Sequence, residues 1–185
     1  RGAVEASGKH PSRGLAAMTT HRSAETASAP HPHGFATKPR AMTSERTRIK
    51  ICGLTREQDV DAAVAAGADA VGFVLYAPSP RAVTPVRAAQ LARRLPPFVT
   101  PVLLFVNESA TNIAAASAMV AGAIVQFHGD ETPADCLVAT GHGLRPFLRA
   151  ARIPLGDGAE RFDLVKYAQD FSHAQAILLD AHVDG

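Results

Sequence analysis

The fold is decided by residues 70–106, AVGFVLYAPSPRAVTPVRAAQLARRLPPFVTPVLLFV. A short apolar run, Ala70–Tyr76, is followed by an Ala-rich segment with helical spacing, Pro85–Leu95, and then by a second apolar run, Val99–Val106. Runs rich in β-branched residues are typical of strands, and a Thr-Pro pair directly before the Ala-rich segment is a helix-start signal. The stretch therefore predicts a strand–helix–strand unit.

The same alternation extends over the rest of the chain from Arg48 and predicts an α/β fold with a parallel sheet. An open doubly wound sheet and a (β/α) barrel both fit this pattern, and both place a binding site at the carboxyl ends of the strands. No Gly-x-Gly-x-x-Gly follows the first strand to favour dinucleotide binding. The predicted strands are Arg48–Leu54, Ala70–Tyr76, Val99–Val106, Ala123–Gly129, Leu144–Ala150 and Gln175–Ala181. The predicted helices are Arg56–Ala66, Pro85–Leu95, Ser109–Ala121, Pro133–Thr140 and Glu160–Gln169, with N-caps near Thr55, Thr84, Asn107 or Glu108, and Thr132.

Residues 1–47 differ in composition from the rest of the chain. They are rich in Ala, Ser, Thr, Pro and His and show neither the helical nor the strand period, so they cannot bury enough apolar surface to offset the entropy of ordering. We expect a disordered extension at 1–47 and one domain at 48–185, with Met42 as the natural start. A targeting leader is the alternative, although the apolar run of a secretory signal is missing.

Composition excludes several classes of protein. The chain has 185 residues, of which 46% are hydrophobic, and its formal net charge is only +2, so neither nucleic acid nor an anionic membrane is expected as a partner. No apolar run approaches the ~20 residues that span a bilayer. Two cysteines, Cys52 and Cys136, are too few for a disulfide framework and lack metal-site spacing. We expect a soluble, cytoplasmic protein.

Polar residues cluster at the predicted strand ends. On the first strand, Lys50 and Cys52 share one face because side chains alternate, and the same parity puts Asp180 at the rim of the sixth strand. If the strand ends converge, one pocket receives a thiol, a carboxyl and further polar groups from the fourth strand and from the loop after the second strand, namely Gln126, His128 and Arg81.

Each of these residues also has a structural explanation. Cys52 could be a small buried apolar residue, and Asp180 could be a turn or N-cap residue. His128 could be a hydrogen-bonded structural histidine, Arg81 a solvated charge, and Lys50 an ion-pair partner inside a barrel. Cys136 lies in a helical pattern and is expected in the core.

The order of several motifs resembles the phosphoribosylanthranilate isomerase family. The resemblance runs from about Arg48 to Gly185, and its most specific parts are the first and fourth motifs, where an unusual polar set has a fixed spacing at a strand end. The motifs are KICGLT at 50–55, GFVLY at 72–76 with SPR at 79–81, FVN at 105–107, QFHGDE at 126–131 and LLD at 178–180.

The resemblance implies an eight-stranded (β/α) barrel and an isomerase of tryptophan biosynthesis that uses neither cofactor nor metal. The family converts N-(5-phosphoribosyl)anthranilate into 1-(2-carboxyphenylamino)-1-deoxyribulose 5-phosphate by an Amadori rearrangement. It further implies that Cys52 is the general base, that Asp180 is the general acid and that Arg81 binds the anthranilate carboxylate. Lys50, Gln126 and His128 are expected to line the substrate pocket.

The sequence contains fewer β/α units than the family's barrel. About six of eight β/α units are recognisable, and the family's phosphate-binding loops follow strands seven and eight. We therefore expect little activity from this chain alone, and self-association through unpaired barrel edges. The alternatives are a non-catalytic half-barrel that needs a complementary segment and another phosphate-binding barrel isomerase or epimerase. The latter would be expected to carry an acid or metal ligand in place of Cys52. A redox role lacks a Cys-x-x-Cys motif.

Overall fold

One parallel sheet of six strands, in chain order, forms the centre of the molecule. The computed structural model describes residues 46–182, so the disorder predicted for residues 1–47 concerns a segment that lies, except for Arg46 and Thr47, outside the described residues. The consecutive strand order and the curl of the sheet match half of a barrel and exclude the reversed order of a doubly wound sheet. The strands are β1 (Lys50–Cys52), β2 (Ala70–Val74), β3 (Thr100–Phe105), β4 (Ile124–Phe127), β5 (Phe147–Pro154) and β6 (Ala176–His182).

Five α-helices connect successive strands. Two of the predicted N-caps are confirmed: the Thr84 hydroxyl accepts the Arg87 N–H at 3.1 Å, and Thr132 forms a capping box with Asp135. Pro85 and Pro133 occupy first-turn positions, where a missing N–H costs nothing. The helices are α1 (Glu57–Ala65), α2 (Pro85–Ala92), α3 (Ala110–Met119), α4 (Pro133–Ala139) and α5 (Leu164–Asp170), and a 3-10 helix (Gly156–Arg161) precedes α5.

The hydrophobic core lies between the helices and one face of the sheet. Phe127 and Phe147 are in edge-to-face contact there, with ring centroids 5.5 Å apart. Cys136 is fully buried in this core, as predicted, and burial raises the pKa of its thiol to about 12. Strand parity leaves the opposite face for the polar residues at the strand ends.

The fifth strand lies further along the chain than predicted. Leu144, the predicted first residue, is exposed in a turn where Gly141, His142 and Gly143 all have positive φ. The strand starts at Phe147, which pairs with Val125 of β4, and it continues to Pro154 because β6 pairs with it from Leu148 onward.

Several helix starts were also predicted wrongly. The 3-10 helix takes the residues expected to begin the last helix, and α5 starts only after Asp163, whose carboxylate accepts the Lys166 N–H at 2.8 Å. The N-cap of α3 is Ser109, and not Asn107 or Glu108. The N-cap of α1 is Arg56, and not Thr55.

Within residues 46–182, every helix is too short or too polar to cross a bilayer.

Candidate active site

The predicted site residues of the strands share one face of the sheet. The register from β1 to β6 places Cys52, Gln126 and Asp180 on the face opposite the helix-packed core. The parity argument made from the sequence is therefore correct for these three residues. A thiol and a carboxyl on the two outermost strands thus point to the same side.

Three of the predicted residues form one hydrogen-bonded chain. The His128 ring contacts the Gln126 amide nitrogen through Nδ1 at 3.2 Å and the Asp180 Oδ2 through Nε2 at 3.0 Å. Gln126 is fully buried, and His128 is half-buried. With the amide donating to Nδ1, a neutral imidazole carries its proton on Nε2 and donates it to the carboxylate. His128 therefore holds one oxygen of Asp180 in place.

Cys52 lies at the carboxyl end of β1 beside a residue without a side chain. Its neighbour in the register is Gly72, where a Cβ atom would lie 2.6 Å from the Cys52 Sγ. That separation is far below any normal contact distance, so the thiol occupies space that only glycine leaves free. The partly exposed thiol is thus open toward the inner face.

The loop after β2 brings Arg81 next to Cys52. The Arg81 Nη1 donates to the Cys52 carbonyl at 3.3 Å, and the guanidinium crosses Gly53, whose φ of +86° and lack of Cβ permit the approach. The Ser79 hydroxyl accepts the Arg81 N–H at 3.2 Å. The guanidinium is therefore held at the carboxyl end of β1, and Arg81 remains exposed.

Lys50 shares the inner face of β1 with Cys52 and is half-buried. Its ammonium forms no ion pair with the described side chains of residues 46–181, which leave out that of residue 157. The interpretation of Lys50 as an interior ion-pair partner therefore finds no support in this part of the chain.

A buried ion pair that was not predicted from the sequence lies just behind the rim and is formed by Glu131 and Arg149. Arg149 lies two residues after Phe147 and therefore shares the core face of β5. This spacing could have indicated a buried arginine, and a buried charge needs a partner. The identity of the partner cannot be predicted from a strand pattern.

Among the side chains that the structure describes, no group of three or more His, Cys, Asp or Glu is arranged to hold a metal ion.

Comparison with known proteins identifies the family. A family model described as N-(5'phosphoribosyl)anthranilate (PRA) isomerase matches residues 49–185. The chain belongs to the PRA isomerase family. An N-(5'-phosphoribosyl)anthranilate isomerase from Methylibium petroleiphilum is 65% identical over 140 residues, which are 76% of this chain and 62% of that relative.

Solved PRA isomerase structures share the fold. The enzyme from Thermotoga maritima superposes with a TM-score of 0.63 at 33% identity, covering 75% of this chain and 63% of the other. A PRA isomerase in complex with reduced 1-(o-carboxyphenylamino)-1-deoxyribulose 5-phosphate gives a TM-score of 0.62 at 34% identity, covering 74% and 66%. The resemblance inferred from the motifs and the barrel-type α/β fold are thus confirmed. The chain spans about three fifths of the length of the curated PRA isomerases that it matches, 62% and 61% for two of them.

Proposed function

We propose that this chain supplies the proton-transfer residues of a PRA isomerase, which converts N-(5-phosphoribosyl)anthranilate into 1-(2-carboxyphenylamino)-1-deoxyribulose 5-phosphate. The observation that carries the proposal is the hydrogen bond between His128 and Asp180 on the face that also bears the Cys52 thiol. A related PRA isomerase binds a reduced form of the product, which supports the same substrate class.

Asp180 acts as the general acid in the first half of the reaction. It gives a proton to the furanose ring oxygen while the C1–O bond breaks, and the lone pair of the anthranilate nitrogen forms the C=N bond of a Schiff base. The bond from His128 engages Oδ2 only, and no hydrogen bond to Oδ1 comes from the side chains that the structure describes, which leave out those of residues 157, 159 and 182. Oδ1 is therefore the oxygen assigned to the substrate.

Cys52 acts as the general base in the second half. Its thiolate removes the proton from C2, the C–H electrons form the C1=C2 bond, and the C=N electrons return to nitrogen. The enolamine then tautomerises to the C2 ketone. Lys50 and Gln126 line the pocket without a role in proton transfer.

Arg81 orients the substrate. A planar guanidinium can donate two parallel hydrogen bonds to the anthranilate carboxylate. Because Arg81 is bonded to the Cys52 carbonyl, a ring held there lies next to the base. The orientation of the substrate by Arg81 and the removal of its proton by Cys52 thus both depend on the position of the last residue of β1.

The proposal is tested by an isomerase assay on this chain, alone and mixed with the remaining portion of the Methylibium petroleiphilum relative. We expect turnover in the mixture, and a loss of roughly 10²- to 10⁴-fold in kcat for Asp180→Asn, the range for loss of a general acid. Asp170→Asn is the matched control, since Asp170 forms an exposed ion pair with Lys166 within α5. Equal turnover of the Asp180 and Asp170 variants would remove Asp180 from the chemistry.

We further propose that the chain self-associates through its outer strands. Among the described residues β1 pairs only with β2 and β6 only with β5, and both edges expose apolar side chains. Ile49 and Ile51 are 43% and 40% exposed, and Leu179 is 57% exposed.

We propose a cytoplasmic location, which the free thiols of Cys52 and Cys136 support. We also propose that the chain consists of an extension at 1–47 followed by one domain at 48–185.

A further inference from the structure

A buried ion pair lies behind the candidate site, on the helix-packed side of the sheet. The side chains of Glu131 and Arg149 are only 5% and 6% exposed, and Oε2 and Nη1 are 3.0 Å apart. Removing two charges from water costs several kcal/mol per ion, and well-packed apolar residues often stabilise a core equally well or better. Stability alone is therefore a weak explanation for this pair.

The ion pair holds the main chain directly after His128. Glu131 Oε2 accepts the Gly129 N–H at 2.9 Å, and the Arg149 Nη2 donates to the Gly129 carbonyl at 2.9 Å. The backbone N–H and the carbonyl of Gly129 are thus both bonded to the pair. Glu131 Oε1 also accepts the Asn107 N–H at 2.7 Å, which ties the end of β3 to the same carboxylate.

Gly129 is closely surrounded by Asn107 and bonded backbone. A Cβ at Gly129 would collide with the side chain and backbone of Asn107, which has a φ of +52° and accepts the Asp130 N–H at 2.6 Å through Oδ1. On the other side, the His128 N–H donates to the Phe105 carbonyl at 2.9 Å. The backbone is therefore fixed immediately before and after the imidazole.

Two aromatic rings fix the guanidinium itself. The Arg149 Cζ lies 4.8 Å from the Phe171 ring centroid and 5.8 Å from the Tyr167 centroid, close enough for cation–π contact. The plane of the guanidinium is thus set by α5, and its two terminal nitrogens point separately at Glu131 and Gly129. A lysine at this position could not reproduce both contacts.

We propose that Glu131 and Arg149 are positioning residues that act through the backbone of Gly129 to set the imidazole of His128, and through it the carboxyl of Asp180. This inference rests on the proposed function for its catalytic meaning, but the geometric part concerns His128 alone. The pair touches no reacting atom because it lies on the opposite face of the sheet.

The geometric part is tested by NMR on the chain carrying ¹⁵N-labelled histidine. In the parent, the ring nitrogens of His128 should show one tautomer, with the proton on Nε2. In Glu131→Gln, an amide NH₂ faces donors that need an acceptor, so we expect the His128 ring signals to move toward those of His173, which is exposed. Val60→Ala, which removes buried methyl groups from α1, is the control for general loss of stability.

A second variant covers the case in which Glu131→Gln does not fold. Arg149→Lys keeps the charge and loses one of two contacts, and it should move the His128 signals in the same direction by a smaller amount. The inference is overturned if the variants that fold change the His128 signals no more than Val60→Ala does. If Glu131→Gln does not fold, Arg149→Lys alone decides the outcome.

The catalytic part is tested in the mixture of chain and complementary portion. Glu131→Gln should lower kcat on the order of tenfold or more with little change in KM, because misplacement of an acid affects the transition state more than substrate binding. If the parent mixture has no turnover, the proposed function fails while the NMR experiment still decides the positioning role. If the parent mixture turns over and Glu131→Gln matches it, the catalytic part of the inference is wrong and the proposed function stands.

Discussion

Gly72 and Gly53 lie beside the two polar groups at the end of β1, the Cys52 thiol and the Arg81 guanidinium. A side chain at either glycine would occupy the position of the polar group next to it. Both glycines therefore contribute to the site by leaving space.

The steric role of Gly72 can be measured through stability. Gly72→Ala should destabilise the chain by about 1–3 kcal/mol, the usual cost of overpacking a buried position. The cost should be smaller in a Cys52→Ala background, because the Sγ atom at 2.6 Å is then absent. Urea unfolding of the four proteins in this double-mutant cycle gives both values, and equal costs in the two backgrounds would rule out the thiol as the colliding group.

Arg81 offers a second residue-level prediction. Arg81→Lys should raise KM for the anthranilate substrate more than it lowers kcat, since one ammonium cannot reproduce a two-point contact with a carboxylate. Steady-state kinetics of the mixture with the complementary portion measures both constants. Arg93, which is an exposed arginine just after α2, provides the matched Arg→Lys control. An unchanged KM for Arg81→Lys would place Arg81 outside the substrate site.

Motif and parity were sufficient to predict which residues face the site, but not how they contact one another. Cys52, Gln126 and Asp180 follow from period-two alternation. The bond between His128 and Asp180 joins residues 52 positions apart, and such pairing depends on the curl of the sheet. The Glu131–Arg149 pair depends likewise on tertiary packing that no local pattern encodes.

At the level of elements, β1 is a three-residue strand held at its start by a side chain from the loop before β2. The Asp69 carboxylate accepts the Ile49 N–H at 2.8 Å and pairs with Arg46 and Arg48. The hydrogen bond from the Ile49 N–H and then that from Arg46 lower the pKa of Asp69 to about 2. The strand that bears the candidate base is thus attached to β2 through an ionised carboxylate.

This attachment predicts a pH-dependent contribution to stability. The pKa of Asp69 is about 2 in the folded chain and about 3.9 for an unperturbed aspartate. A lowered folded pKa stabilises the native state fully above about pH 4, and the contribution is lost as the pH falls toward 2. The difference in unfolding free energy between the parent and Asp69→Asn should therefore be constant near neutral pH and shrink between pH 4 and 2.

Urea unfolding at a series of pH values measures that difference. Asp59→Asn is the control, since Asp59 forms an exposed pair with Arg56 on the surface of α1 and should contribute little. A difference for Asp69→Asn that persists unchanged at pH 2 would contradict the ionic attachment of β1.

The accuracy of the element predictions follows from where the decisive signal lies. The starts of the two helices whose first turn contains proline after threonine were predicted correctly because that signal is local. β5 was displaced because Leu144 belongs by composition to a strand, whereas three consecutive residues with positive φ make a turn there. The carboxyl end of β5 extends to Pro154 only because β6 lies alongside, and a partner strand cannot be predicted from local periodicity.

At the scale of the whole molecule, the two outer strands combine exposed apolar residues with backbone groups that no other described strand pairs. Such edges favour pairing with another chain, and charged side chains on an edge oppose it. We expect the 185-residue chain to sediment as a species larger than its 19.4 kDa monomer. Leu179→Lys on β6 should shift the distribution toward monomer.

Val165→Lys provides the matched control for that experiment. Val165 is an exposed apolar residue of α5 and belongs to neither edge strand, so its substitution should leave the sedimentation unchanged. A monomeric parent, or equal effects of the two lysine substitutions, would contradict association through the edges.

Cys52, the proposed base, and Asp180, the proposed acid, lie on the two outermost of the described strands, so five strand interfaces separate them. Neighbouring strands are about 4.8 Å apart and each is rotated relative to the next, so small changes of twist accumulate across the sheet. In the proposed reaction, the gap between the two groups that the sugar would bridge is therefore a property of the curvature of the entire sheet. Substitutions of buried residues that contact neither Cys52 nor Asp180 should consequently change kcat of the proposed reaction, because they widen or narrow the space between the two groups.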